Sequence, residues 1–462
     1  MRAVNPNGRR IGWGPVLAVC LSLLAAGKGM AATPAAASAG FAVEESRGAA
    51  STPFAIDLPT VLRLAGAENL EVRIARERVK EAQALHEQTR LQYFPWLAPG
   101  FGYRAHDGNL QDVGGTVLEV EKQSYTAGVA LNAQLNLGDA IYQSLAARQR
   151  ARAAEEYQEV RRQEAVYRAA VGYFELSRAV GAVGAAADAV RIAEDYARQV
   201  RQAVDAGIAF QGDSFRTEVQ WQRNRTLQRQ AEEQRRVAAA RLAETLRLEP
   251  ETDLALAEPD CAPLSPGHTN ANLGSLVARA LTARPELRQS ASWAASAEAD
   301  RKGAVRGPWI PTVGAQAYFG GLGGGADDHL GSLGDTEDYF LGLGWRLGPG
   351  GLFDRGRVRA AESRQRASTL EVERVRLEIQ RQVVEALTRC QSLADQLLSM
   401  ERSVVAATQL LELSRARREF GVGAVLETIQ AEQELTRARL DYLQVVSEHN
   451  KAQFALKRAV GE

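Results

Sequence analysis

The sequence carries no net charge: 56 Lys and Arg balance 56 Asp and Glu over 462 residues. Without a basic excess there is no electrostatic footprint for nucleic acid, and no acidic tail is present to act as a solvating segment. Cysteine is scarce, three in all. Cys20 lies in an apolar leader, which leaves Cys261 and Cys390, and the sequence does not say whether those two meet. The five histidines (His86, His106, His268, His329 and His449) are scattered without metal-ligand spacing. No phosphate-binding loop or dinucleotide fingerprint occurs. "GGLGGGADDHLGSLGD" does not repeat as a calcium-binding array would, and reads as a flexible loop. An enzyme therefore has no residue to stand on: no catalytic residue, metal or cofactor is expected. Beyond the leader, no apolar run reaches the ~20 residues of a membrane-spanning helix.

What is abundant is Ala, Arg, Glu, Gln and Leu, a composition that favours long helices. Arg9 and Arg10 precede an apolar run from Gly14 to Ala26 and then "GMAAT". This predicts a secretory signal over residues 1–31, cut near Ala31 or Ala32. "LAVC" at Leu17–Cys20 is a weak lipidation site, because Val19 is a poor residue before such a cysteine. Residues 32–54 read as a flexible leader.

The rest predicts two copies of one pattern: helix, strand, loop, strand, long helix, break, helix. The first copy spans 55–250, a Pro-rich linker spans 251–271, and the second copy spans 272–461. "DLPTVLRL" at Asp57 and "NLGSLVARAL" at Asn272 open the two copies with helices reaching about Tyr93 and Val305. "FPWLAPG" and "WIPTVGA" then break them, since proline cannot continue a helix. Strands are expected over about 100–106, 125–137, 312–321 and 338–348. Long helices follow over about 140–206 and 357–419, and after the tips at 207–213 and 420–427 come helices to about Leu248 and Val460. The register can be counted: Pro95 and Pro311 lie 216 positions apart, and Gly207/Gly421, Glu218/Glu432, Arg223/Arg437 and Arg225/Arg439 lie 214 apart. A tandem duplication accounts for this.

The strands carry the physical constraint. In "YTAGVALNAQLNL", Tyr125, Ala127, Val129, Leu131, Ala133, Leu135 and Leu137 form one face, while Asn132, Gln134 and Asn136 sit on the other. Tyr339, Leu341, Leu343, Trp345 and Leu347 repeat the apolar face. Such alternation has the length of a tilted strand crossing a bilayer, lipid on one side and water on the other. Four strands cannot close, because an open edge in lipid leaves backbone groups unpaired. Three chains of four strands each would close a ring of twelve. The plainer alternative is two soluble hairpins on a helical body. The long helices carry coiled-coil seams, Val372–Val375–Ile379–Val383 and Leu393–Leu397–Met400–Val404–Leu411, with a small-residue seam in the first copy.

With these features the chain resembles the TolC family of outer-membrane efflux and secretion channels, from about Asp57 to Gly461. The resemblance rests on the duplicated order, the Pro-marked breaks, the Gly207–Asp213 and Gly421–Glu427 breaks, and "LETIQAEQELTRARLDY" from Leu426. It implies a mainly α chain with a membrane β-barrel portion. In a homotrimer, a twelve-stranded barrel in outer-membrane lipid would continue into a coiled-coil α-barrel across the periplasm. It also implies that Gly207, Ile208, Gly421 and Val422 dock a periplasmic adaptor (membrane fusion) protein, and that the energy comes from an inner-membrane pump of resistance–nodulation–division or ABC type. Glu427 would match an acidic ring position, with Gln430 where a second acid is usual. Asp213 would match an acid that ties the closed state, its usual arginine partner replaced by Gly423, with Arg417 or Arg418 as substitutes. The expected function is a passive exit duct for efflux or type I secretion. The competing reading is a periplasmic coiled-coil scaffold without a pore.

Overall fold

The computed structural model describes residues 54–249, 252, 254–257, 261–265, 272–326, 333–419 and 423–462. The predicted signal, residues 32–53 of the predicted leader, and Gly421 and Val422 lie outside the described residues. So do 327–332 of the glycine-rich loop and part of the linker.

The first copy runs β1 (Phe54–Ile56), α1 (Leu58–Glu68), α2 (Leu70–Leu91), β2 (Trp96–Gln111), β3 (Val117–Asn136), α3 (Leu137–Asp205) and α4 (Gln211–Leu246). The second runs β4 (Leu254–Leu256), α5 (Leu273–Ala283), α6 (Pro285–Arg306), a 3-10 turn (Gly307–Trp309), β5 (Thr312–Ala326), β6 (Gly334–Gly344), α7 (Arg355–Glu419) and α8 (Val425–Val460). The matching openings have matching caps. Asp57 accepts a hydrogen bond from the Thr60 amide at 3.1 Å, and Asn272 one from the Gly274 amide at 2.8 Å. Each satisfies an amide that the first helical turn would otherwise leave unpaired.

Several readings of the sequence need correction. Each opening helix is two helices, because Asn69 caps α2 through the Glu71 amide at 2.9 Å and Pro285 has no amide for a continuous helix to use. The first hairpin is far longer than its clean alternation indicated, since backbone pairing continues through glycine and charged residues up to Gln111↔Val117. The last strand is displaced: it begins at Gly334 and ends at Gly344, so Trp345 and Leu347 leave the apolar face. Trp345 instead donates from Nε1 to the Trp309 carbonyl at 3.2 Å, ahead of turns at Gly348 and Gly350. Leu137 likewise belongs to α3 rather than to β3. The linker is less loose than its prolines imply. Its Leu254–Leu256 segment pairs in parallel with Phe54–Ile56, and Asn450 of α8 donates to the Ala262 carbonyl and accepts from the Leu264 amide.

Packing repeats the duplication. One core joins α1, α3 and α4 through Val61, Ala65, Phe174, Leu176, Leu242 and Leu246, sealed by Ile56 and Leu254 of the short strand pair. Another joins α5, α7 and α8 through Leu276, Ile379, Val383, Leu387, Leu456 and Val460. On α3 the buried face is largely alanine, which lets its neighbours approach closely. At ~1.5 Å per residue, α3 and α7 each reach about 100 Å. No helix among the described residues is long and apolar enough to cross a membrane.

Candidate functional site

The four long strands form one antiparallel sheet in the order β2-β3-β5-β6. The middle pairing, Asn136↔Thr312 through Lys122↔Ala326, joins the two copies. Directly opposed residues share a face, so the register assigns both faces. Leu97, Leu131, Ala317 and Tyr339 form one cross-strand row, and Leu135, Val313 and Leu343 another. Phe101 and Phe319 belong to the same face, which is apolar and solvent-exposed within the chain. The opposite face carries Asn132 with Gln316, and Asn136 with Thr312, whose hydroxyl donates to Asn136 at 2.8 Å. Gly128 and Gly320 oppose each other there. A Cβ on Gly128 would lie 2.5 Å from the Phe319 carbonyl, and one on Gly320 2.4 Å from that of Ala127. The Tyr318 hydroxyl sits 2.7 Å from both positions, so an aromatic ring covers the glycine pair. Two aromatics, Trp96 and Phe340, also project from this polar face. The outer edges of β2 and β6 have no partner strand among the described residues.

At the far end of the helices, α3 stops in a Schellman turn. Gly207 has φ +74°, its amide donates to the Val204 carbonyl at 2.9 Å, and the Ile208 amide donates to that of Ala203 at 2.8 Å. Ile208 and Phe210 then project into solvent, 83% and 75% exposed. Asp213 lies in the first turn of α4, where a carboxylate is favoured, and pairs with Arg216 at 3.1 Å.

The structure does not bring Arg417 or Arg418 to Asp213. Arg417 pairs with Glu427 at 2.9 Å across the break between α7 and α8. Arg418 donates to Gln199 at 2.6 Å and stacks over the Tyr196 ring at 4.5 Å, while the Tyr196 hydroxyl donates to the Val425 carbonyl at 3.3 Å. The last turn of α7 is thus fastened to α3. Gln430 is exposed.

Behind the tip lies a polar seam that sequence reasoning missed. Asn224 of α4 donates to Glu432 of α8 at 2.7 Å and to the Ala189 carbonyl of α3 at 3.0 Å. Gln433 donates to Gln220 at 2.6 Å. Glu432 is 1% exposed, and its Oε2 has no hydrogen-bond partner. Burial pushes its carboxyl up to about 7, against the opposing effects of the Asn224 hydrogen bond and the Arg415 charge. Its spacing from Thr428, Ile429 and Leu435 places it on the buried stripe of α8, a signal that a helical projection would have shown.

A second unread signal is on α7. Leu370, Leu377, Val384, Leu398 and Val405 recur at heptad spacing, with Gln391 at the intervening position, and all five apolar side chains are exposed within the chain. Water-exposed leucine and valine in a strict seven-residue row along about 50 Å of helix is the signature of a helix awaiting a partner.

Comparison with known proteins agrees with this architecture. The sequence profile of the outer membrane efflux protein family matches residues 61–246 and 276–462, one segment in each copy. No curated protein matches by sequence. Among solved structures, the chain is similar to a membrane protein from Pseudomonas aeruginosa, with 20% identity, 88% of this chain and 91% of that one covered, and a TM-score of 0.75. It is similar to the outer membrane protein VceC of Vibrio cholerae, with 18% identity, 87% and 96% covered, and a TM-score of 0.74. It is also similar to the MtrE outer membrane channel of Neisseria gonorrhoeae in its open state, with 19% identity, 87% and 88% covered, and a TM-score of 0.72.

Proposed function

We propose that this chain, which belongs to the outer membrane efflux protein family, acts as a homotrimeric exit duct that conducts solutes passively across periplasm and outer membrane. The protein is located in the outer membrane, with a long helical portion in the periplasm. The observation that carries the reading is the two-faced sheet with two unpaired edges. Its apolar face suits lipid and its amide-bearing face suits water, while the edges cannot stay open in hydrocarbon. Three copies supply twelve strands, and the heptad row on α7 supplies a helical contact between neighbours. An adaptor that docks at the exposed Ile208 and Phe210 and at the second tip, binding the open state better, would shift the tips apart. An inner-membrane pump of resistance–nodulation–division or ABC type would supply the energy for efflux or type I secretion.

The reading makes a direct demand on the purified protein. In planar bilayers it should give unitary conductance steps, and Leu377→Lys combined with Leu398→Lys should convert the trimer to monomers in native mass spectrometry. A coiled-coil scaffold would give no steps. A double variant that stays trimeric would remove the α7 row from the interface.

The tip acids have their own test. Threefold repetition of Glu427 near the mouth would focus negative potential in the bore. Glu427→Gln is therefore expected to weaken block by multivalent cations such as hexamminecobalt several-fold. Unchanged block would exclude Glu427 from the permeation path, leaving it as the ion-pair partner of Arg417.

A further inference from the structure

The register of the sheet sorts charge by face. Asp107, Glu119, Glu121, Asp335 and Glu337 all share the face of Val129 and Leu131. Arg104, His106 and Lys122 all share the opposite face, that of Asn132 and Gln134. His106 and Lys122 are directly opposed across β2 and β3, and Arg104 lies one same-face position along, opposite Ser124. Arg104 and Lys122 are exposed and form no ion pair among the described residues. His106 Nε2 is shielded from solvent with no hydrogen-bond partner. The acid on this face of the described strands is Asp338, on β6 in the row of Ala98, Ala130 and Tyr318. It lies six positions nearer the helices than Arg104 and, within one chain, three strands away.

Arg104 and His106 lie eight and ten residues beyond Trp96, where β2 leaves the helical body, or about 26–33 Å at ~3.3 Å per residue. After a strand tilt of ~40° this is the outer rim of an apolar belt about 25 Å tall. On the reading of the sheet as a channel wall, which this inference requires, we propose that Arg104, His106 and Lys122 form an anion-binding collar inside the outer mouth. Repeated three times, the collar takes solutes bearing phosphate, sulfate or several carboxylates. One exposed lysine holds an anion poorly in water. Six permanent positive charges converging on a narrow bore, with three imidazoles able to donate, raise the local anion concentration.

The test uses inorganic tripolyphosphate on the full-length trimer in planar bilayers. Protein added to one chamber keeps its helices there, because about 100 Å of polar helix does not cross lipid. Tripolyphosphate added to the opposite chamber should block the current, and Arg104→Gln combined with Lys122→Gln should weaken that block at least tenfold while unitary steps persist. Block of equal strength in the variant, or block only from the helix side, would overturn the collar and leave the channel standing. Absence of unitary steps in the unsubstituted protein would overturn the channel reading, and the collar with it.

Discussion

Replacing Arg284 with alanine is expected to lower the thermal and denaturant stability of the protein more than any surface change, by about 3–5 kcal/mol. The side chain is 4% exposed and fully engaged. Its guanidinium makes a two-pronged pair with Glu286 at 2.8 and 2.7 Å, donates to Gln382 of α7 at 3.1 Å, and reaches the carbonyls of Arg458 and Ala459 at 3.3 and 3.4 Å. One residue therefore ties the α5–α6 corner to α7 and to the last turn of α8, whose carbonyls have no partner within the helix. Removing it takes from the Glu286 carboxylate its only cation among the described residues and leaves the Ala459 carbonyl without its donor, while the Arg458 carbonyl keeps the Gly461 amide. The first copy has a smaller version of the same device, in which Asn69 at the α1–α2 corner donates to the Thr245 carbonyl near the end of α4 at 3.0 Å. Asn69→Ala, which also removes the cap on the Glu71 amide, should cost about 2 kcal/mol, since both bonds are neutral rather than charged. Denaturant midpoints of the two variants should rank accordingly, and equal, small losses would show that Arg284 contributes packing alone.

Glu432→Gln is expected to stabilise the protein at alkaline pH and to flatten its pH dependence. Folding raises this carboxyl from 4.5 to about 7 through burial. Below pH 4.5 the group is protonated in both the folded and unfolded states and contributes no slope. Between 4.5 and 7 the folded protein holds a proton that the unfolded chain has released, so stability falls as pH rises. Above 7 the loss is complete and amounts to about 3 kcal/mol. Glutamine imitates the neutral acid, keeps the oxygen that accepts from Asn224, and has no charge to bury. Unfolding midpoints at pH 5 and pH 8 should diverge for the unsubstituted protein and lie close together for the variant. Parallel pH profiles would mean that water or the Arg415 charge reaches Glu432 and holds it ionised.

Much of the architecture was legible because it is local. Period-two alternation marks a two-faced strand wherever that strand pairs, proline marks the helix-to-strand break, and a glycine at +74° marks the end of α3. The α7 heptad row is present in the sequence too, but it runs beside the buried seam, and two apolar stripes on one helix look like a single broad one. The site was harder to read. The family resemblance groups Asp213 with Arg417 or Arg418, whereas within the chain side-chain reach and helix phase send Asp213, Arg417 and Arg418 to Arg216, Glu427 and Gln199.

The amino-acid order alone determined the duplication, by comparison of its two halves, and also the long helices and the division of each strand into a wet and an oily side, because these depend on neighbours a few residues apart. Tertiary structure decided which strands adjoin, which face the bases share, and which polar side chains are sealed in. Those outcomes depend on pairs such as Lys122 with Ala326, Asn224 with Glu432 and Arg284 with Ala459. Such partners lie far apart along the chain, and no local periodicity constrains them until the helices and strands pack.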